Sequence, residues 1–152
     1  MKGVLNLKMK KKVLINRIIS FVVLCLLLMS IGVNVLAASN VSNVSATWYV
    51  GASGNGYVNG SDNGAYHGLD AGAVILKTSC TNVSTNKPAY VALYREKTGF
   101  DYYCGQVTIS STSTKTYTFS KNADKKSTKY YLICSGGKDL LYHTLDGKLY
   151  NK

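Results

Sequence analysis

The chain has 152 residues, with 18 Lys and Arg against 7 Asp and Glu, giving a net charge of +11. It carries 12 tyrosines but only one tryptophan, one proline and two histidines. That length allows one domain with a modest core. So few carboxylates and histidines leave little material for acid–base catalysis or a multi-ligand metal centre.

Residues 1–37 are ordered like an export signal. Lys8, Lys10, Lys11, Lys12 and Arg17 form a basic start, and 18–28 is almost unbroken apolar sequence. It relaxes through Ser30, Gly32 and Asn34 into Val35-Leu36-Ala37-Ala38. This predicts a secretory signal-peptide helix removed after Ala37 or Ala38. The competing reading is an uncleaved anchor, since 18–37 is about long enough to span a bilayer. The strongly apolar part is short, however, and a small-residue cleavage site follows at once. Export places the remainder outside the cell, and the only membrane contact expected is the signal peptide before cleavage. The long Lys-rich leader and Lys/Asn-rich composition point to a Gram-positive bacterium. Four Asn-x-Ser sequons, at Asn40, Asn43, Asn59 and Asn82, would accept glycans only in a eukaryotic pathway.

From Ala38 onward, twelve basic residues face seven acidic ones, for a net charge of +5. Residues 38–45 are polar and repeat Asn-Val-Ser, and read as a flexible linker. The domain then spans 46–152. Residues 46–50 form a first strand carrying Trp48, and 51–64 a Gly/Asn-rich loop or pair of tight hairpins through Tyr57 and Val58. Residues 72–80 are the most apolar strand, with Val74, Ile75 and Leu76 consecutive, as expected for burial on both faces. Residues 89–96 alternate, 97–101 turn around Gly99, and 102–110 form the next strand. After a turn at 111–114, 115–120 place Tyr117 and Phe119 inward. A Lys-rich loop covers 121–128, and 129–135 make a strong strand. The tail reads as a hairpin, 140–145 and 148–150, around Asp146-Gly147, a dipeptide suited to tight two-residue turns. The abundance of β-branched and aromatic residues and the regular turn spacing predict an all-β domain, a small antiparallel β-sandwich of seven or eight strands.

Three cysteines follow the leader: Cys80, Cys104 and Cys134. An odd number permits one bridge and one leftover thiol, an intermolecular bridge, or none. In a simple meander Cys80 and Cys134 lie at the same end, so Cys80–Cys134 is the preferred pairing over Cys104–Cys134. A loop of that length closed by a bridge would stabilise by about 3 to 4 kcal/mol.

Catalytic and metal signals are sparse. His67 and His143 have no zinc-ligand spacing. A calcium loop could be built from Asn59, Asp62, Asn63 and Asp70, but it lacks EF-hand spacing. Cys104 with His143 and Asp146 is the one thiol-hydrolase set that can be assembled. No enzyme, metal or cofactor is expected. The candidate binding residues are Trp48, Tyr49, Tyr57, Tyr66 and His67, aromatic or polar groups in or beside glycine-rich loops. Trp48 has a second reading as core, with the tyrosines capping the sandwich.

These features predict a secreted, non-catalytic module for a cell-envelope polymer, such as a wall glycan, or for an extracellular protein. Nucleic acid is not the expected partner. The alternative is an antimicrobial acting on Gram-positive envelopes. Thr47-Trp48 with Gly51, then Tyr66-His67 and Ala73-Val74, resembles the lactococcin-type secreted bacteriocins. The family's second histidine is missing and the remaining chain departs from the pattern, so the resemblance implies only this alternative.

Overall fold

The computed structural model describes residues 40–52, 56–136 and 139–152. The predicted signal peptide and its helix lie outside these residues. The described residues all belong to one compact unit. Nine strands are present among the described residues: β1 (Ser42–Tyr49), β2 (Tyr57–Asn59), β3 (His67–Leu69), β4 (Val74–Cys80), β5 (Ala89–Arg95), β6 (Tyr102–Ile109), β7 (Lys115–Thr118), β8 (Ser127–Gly136) and β9 (Tyr142–Asn151). The domain is all-β, with two antiparallel sheets arranged consistently with a small β-sandwich.

Sheet A has the order β1-β9-β4-β7, and sheet B the order β2-β8-β5-β6. In sheet B, β3 also pairs with β8, so β2 and β3 share one edge. Alternation along the strands builds the core. Val44 and Trp48 of β1, Leu145 and Leu149 of β9, and Val74 and Leu76 of β4 are buried from sheet A. Val91 and Leu93 of β5 and Tyr130 and Leu132 of β8 are buried from sheet B. Inward residues two apart are the ordinary signature of a half-buried strand.

Four sequence expectations need correction. First, β1 begins at Ser42, so 42–45 are paired strand facing 146–149 of β9 rather than linker. Second, Asp146-Gly147 is no turn. It lies inside the continuous strand β9, where Gly147 faces Val44 on one side and Thr78 on the other. A side chain at Gly147 would run into the Lys77 carbonyl and lie 2.8 Å from Thr78 Cα. The glycine is there for close approach of strands, not for a positive φ.

Third, the chain is not a simple meander. After β4 it leaves sheet A for β5 in sheet B, and β4 pairs instead with β7 and β9. Fourth, among the described residues there is no disulfide: Cys80, Cys104 and Cys134 are all free and buried. Cys80 lies in sheet A and Cys134 in sheet B, and both belong to the core cluster. Lying at the same end does not supply the specific Cβ approach that a bridge demands. Each thiol packs as a small apolar group. Burial pushes Cys80 and Cys104 up to about 11 and Cys134 up to about 12.

One ion pair joins sheet B to the connector between β7 and β8. Arg95, 6% exposed, donates to Asp124 through Nε at 2.8 Å and Nη2 at 2.6 Å. The Tyr130 hydroxyl adds a bond to the same carboxylate at 3.1 Å. Hydrogen bonds from Arg95 hold the Asp124 carboxyl down at about 2.

Candidate functional site

At one side of the two-sheet arrangement the edge strand β1 of sheet A runs beside the edge strands β2 and β3 of sheet B. Between them opens a cleft of about 430 Å³, within the size range of small-molecule sites. In an antiparallel ladder half of an edge strand's peptide groups point away from its neighbour. The 42–47 stretch of β1 therefore offers free N–H and C=O groups along one wall of the cleft. Residues 60–67 build the other wall. Gly60 N donates to Leu132 O at 2.8 Å and Ala65 N to Gly60 O at 2.8 Å, so the loop folds tightly back before β3 begins.

The lining is uncharged. Ser42, Asn43, Ser45, Thr47, Asn63 and Tyr66 are among the lining residues, and no Lys, Arg, Asp or Glu is. Part of this polar capacity is in use: the Ser45 hydroxyl donates to Asp146 at 2.8 Å, the Thr47 hydroxyl meets that of Thr144 at 3.2 Å, and Asn63 Nδ2 donates to Asn59 O at 3.2 Å. His67 is the one imidazole in the wall. Burial lowers its pKa from the ordinary 6.5, which keeps it neutral at neutral pH. Its Nδ1 is 2.7 Å from Ser42 Oγ, a bond that closes the floor between β1 and β3.

Tyr66 also begins a row of rings on the outer face of sheet B. It meets Tyr131 edge-on at 6.2 Å, Tyr131 stacks on Tyr94 at 5.6 Å, and Tyr94 tilts against Tyr103 at 5.2 Å. Lys121 Nζ lies 5.5 Å from the Tyr103 ring centroid. The inner rings thus spend their faces on each other, as cross-strand aromatic pairs do. The Tyr131 hydroxyl donates to Asp101 at 2.5 Å, and burial, then Asp101, pushes its pKa well up. Tyr57, 62% exposed, is the most open ring on this edge.

The five residues singled out in the sequence separate into three places. Tyr57, Tyr66 and His67 share the β2–β3 edge and stand around the cleft or its rim. Tyr49 lies on the outer side of sheet A, 5.0 Å from the Tyr142 ring. Trp48 is in the core at 3% exposure, stacked on His143 with centroids 5.4 Å apart. His143 also approaches the buried Asp139 carboxylate at 2.9 Å, without hydrogen-bond alignment. Ser42 was missed, because a serine in an apparent linker carries no signal until β1 is paired.

Other combinations weighed from sequence do not assemble. Asn59 Oδ1 is taken by Ser61, and Asp70 is engaged by Asn40 and Lys126. Cys104 lies near Arg95 and Asp124, while His143 packs with Trp48 and Asp139. Among the described residues no three or more His, Cys, Asp or Glu side chains converge on a point a metal could occupy. In comparisons with known proteins, no family model matches the chain and no curated protein matches it.

Proposed function

We propose that the mature chain is an exported, non-catalytic binding module, and that the β1/β3 cleft holds a neutral segment of a cell-envelope glycan. The observation that carries this reading is the absence of charge in the cleft lining of a domain that carries a net charge of +5 from Ala38 onward. A polyanion would be met by lysines. A neutral sugar is met by hydroxyls, amides and peptide groups, with an aromatic ring against its C–H face. Asn43, the remaining hydrogen-bonding capacity of Ser45, Thr47 and Asn63, and the open peptide groups of β1 supply the polar part of that set, with Tyr66 at the rim.

A binding rather than hydrolytic role fits the same lining. Glycoside hydrolysis places two carboxyl groups across the scissile bond, and this wall contains none. Ser42 and His67 begin to resemble a nucleophile and its base. Among the described residues no carboxylate bonds to His67, and its partnership with Ser42 serves to join the two sheet edges.

The test is sedimentation of the purified protein with Gram-positive peptidoglycan freed of anionic polymers, across a salt series. Binding is expected to persist at high salt, because no ion pairs form in the cleft. Tyr66→Ala and Asn63→Ala should each weaken it about tenfold, the scale of one good contact, with the fold intact. Binding that salt abolishes, or that ignores both substitutions, overturns the reading.

A further inference from the structure

A second feature lies at the end of sheet B where β5 turns into β6. Phe100 is 92% exposed, more than any other large apolar residue described. It sits at the tip of the hairpin joining β5 to β6, next to Gly99, whose φ is +88°. The tip is built to hold its shape. Asp101 accepts from Lys97 N at 3.2 Å through one oxygen and from the Tyr131 hydroxyl at 2.5 Å through the other. Phe100 is thus held out into solvent by a turn fixed to the sheet.

Beside this tip is an open pocket of about 490 Å³ whose lining includes Arg95, Lys97, Lys125 and Lys129, with Glu96 the one carboxylate. Arg95 is engaged by Asp124, and Lys129 by Glu96 at 3.0 Å. Lys97 and Lys125 have no carboxylate partner among the described residues. Lys126, next in the chain, is instead paired with Asp70 at 3.4 Å. A preformed apolar tip beside two unpaired lysines is complementary to one kind of surface, an anionic one with an apolar interior just beneath it.

We propose that this end of the domain docks on an anionic lipid surface, with Phe100 entering below the headgroups and Lys97 and Lys125 contacting lipid phosphates. A buried ring and a few basic residues give reversible, composition-dependent attachment, not insertion. The basic pocket shares no lining residue with the β1/β3 cleft, although the Tyr66 hydroxyl reaches Glu96, and the proposal does not rest on the glycan reading. It goes beyond the sequence expectation, in which the signal peptide alone meets a membrane.

The experiment is co-sedimentation of the purified protein with phosphatidylglycerol/phosphatidylcholine vesicles and with pure phosphatidylcholine vesicles. Three variants are run beside it: Phe100→Ser, Lys97→Gln with Lys125→Gln, and Asn63→Ala. Expected is binding to the anionic vesicles only. It should fall about tenfold or more in Phe100→Ser and in the double lysine variant, and stay unchanged in Asn63→Ala. Because Phe100 and both lysines are at the surface, their variants should melt like the parent, and thermal unfolding checks that they do. Glycerol phosphate and a polyglycerol phosphate polymer serve as soluble competitors. Absence of vesicle binding overturns the proposal. So does binding that is indifferent to Phe100 and fully displaced by the soluble polymer, which would make the pocket a phosphate-polymer site. Loss of glycan binding in Asn63→Ala with vesicle binding retained distinguishes the two surfaces.

Discussion

Ser42 Oγ and His67 Nδ1 stand 2.7 Å apart, and through that bond the free edge of one sheet is tied to the free edge of the other. The contact closes the floor of the cleft and sets the spacing of its walls. Its loss should register in both stability and ligand binding. Ser42→Ala is expected to cost about 1 kcal/mol, the usual value of one partly buried hydrogen bond, measured by urea unfolding. A variant with unchanged midpoint would mean that the edges hold together without it.

The same pair makes stability pH-dependent. Burial holds the folded His67 below the ordinary histidine value of 6.5, so the unfolded chain takes up the proton more readily. The contribution of the neutral ring is complete above 6.5 and is lost as the pH falls below that value toward the folded pKa. Urea midpoints at about pH 7.5 and about pH 5, on either side of the ordinary histidine pKa, should differ more for the parent than for His67→Gln. Equal differences would place the acid sensitivity elsewhere.

Trp48 and Tyr66 were grouped by sequence as one binding surface, and the structure predicts opposite phenotypes for them. Trp48→Ala removes a 3%-exposed ring from its stack on His143 and should destabilise by about 3–5 kcal/mol. Tyr66→Ala removes a ring 36% exposed and should cost about 1 kcal/mol or less. Calorimetric melting of the two variants side by side checks this. Similar melting temperatures would contradict the placement of Trp48 in the core.

Asp124 is the acid-sensitive partner of sheet B. Its folded carboxyl is depressed to about 2 from 3.8, so its contribution is present above 3.8 and is lost as the pH falls toward 2. Asp124→Asn leaves Arg95, at 6% exposure, without a counter-charge. With the Asp124 side chain itself 28% exposed, the expected cost is about 2 kcal/mol, below that of breaking a fully buried pair. The variant should also lose part of the acid dependence below about pH 4, near the ordinary carboxylate pKa. Acid titration of both proteins by tryptophan fluorescence tests the pair.

The buried thiols make a direct chemical prediction. With Cys80 and Cys104 pushed up to about 11 and Cys134 to about 12, little thiolate exists at neutral pH, and none of the three is exposed. Native protein should resist iodoacetamide at these positions, and unfolded protein should label at all three. A non-reduced peptide map containing a crosslinked pair would contradict the free thiols.

How much of this was legible beforehand differs from element to element. Residues 89–95 and 102–109 read as strands because their alternation places Val91 and Leu93, then Val107 and Ile109, on one face. That pattern is local, and the structure retains it. Asp146-Gly147 misled for an equally local reason. The dipeptide has the conformational freedom of a turn, but the close approach of Thr78 and Val44 on either side uses its small size instead. Residues 42–45 looked like linker because Ser, Asn and Ser are polar. An edge strand with one face to solvent is polar at every second position, and only its pairing to β9 distinguishes the two.

The sequence by itself determined the all-β class and most of the strands, because hydrophobic alternation and turn residues act over a few positions. Tyr66 and His67 were also visible, as an aromatic–histidine pair beside a glycine-rich loop. Only the tertiary structure decided which sheet each strand joined, that Cys80 and Cys134 stay free, and that Trp48 is core. It alone set Ser42 against His67 and Phe100 beside the lysines, which are separated along the chain. Pairings of that kind depend on how distant strands close on one another, and no local pattern encodes the partner.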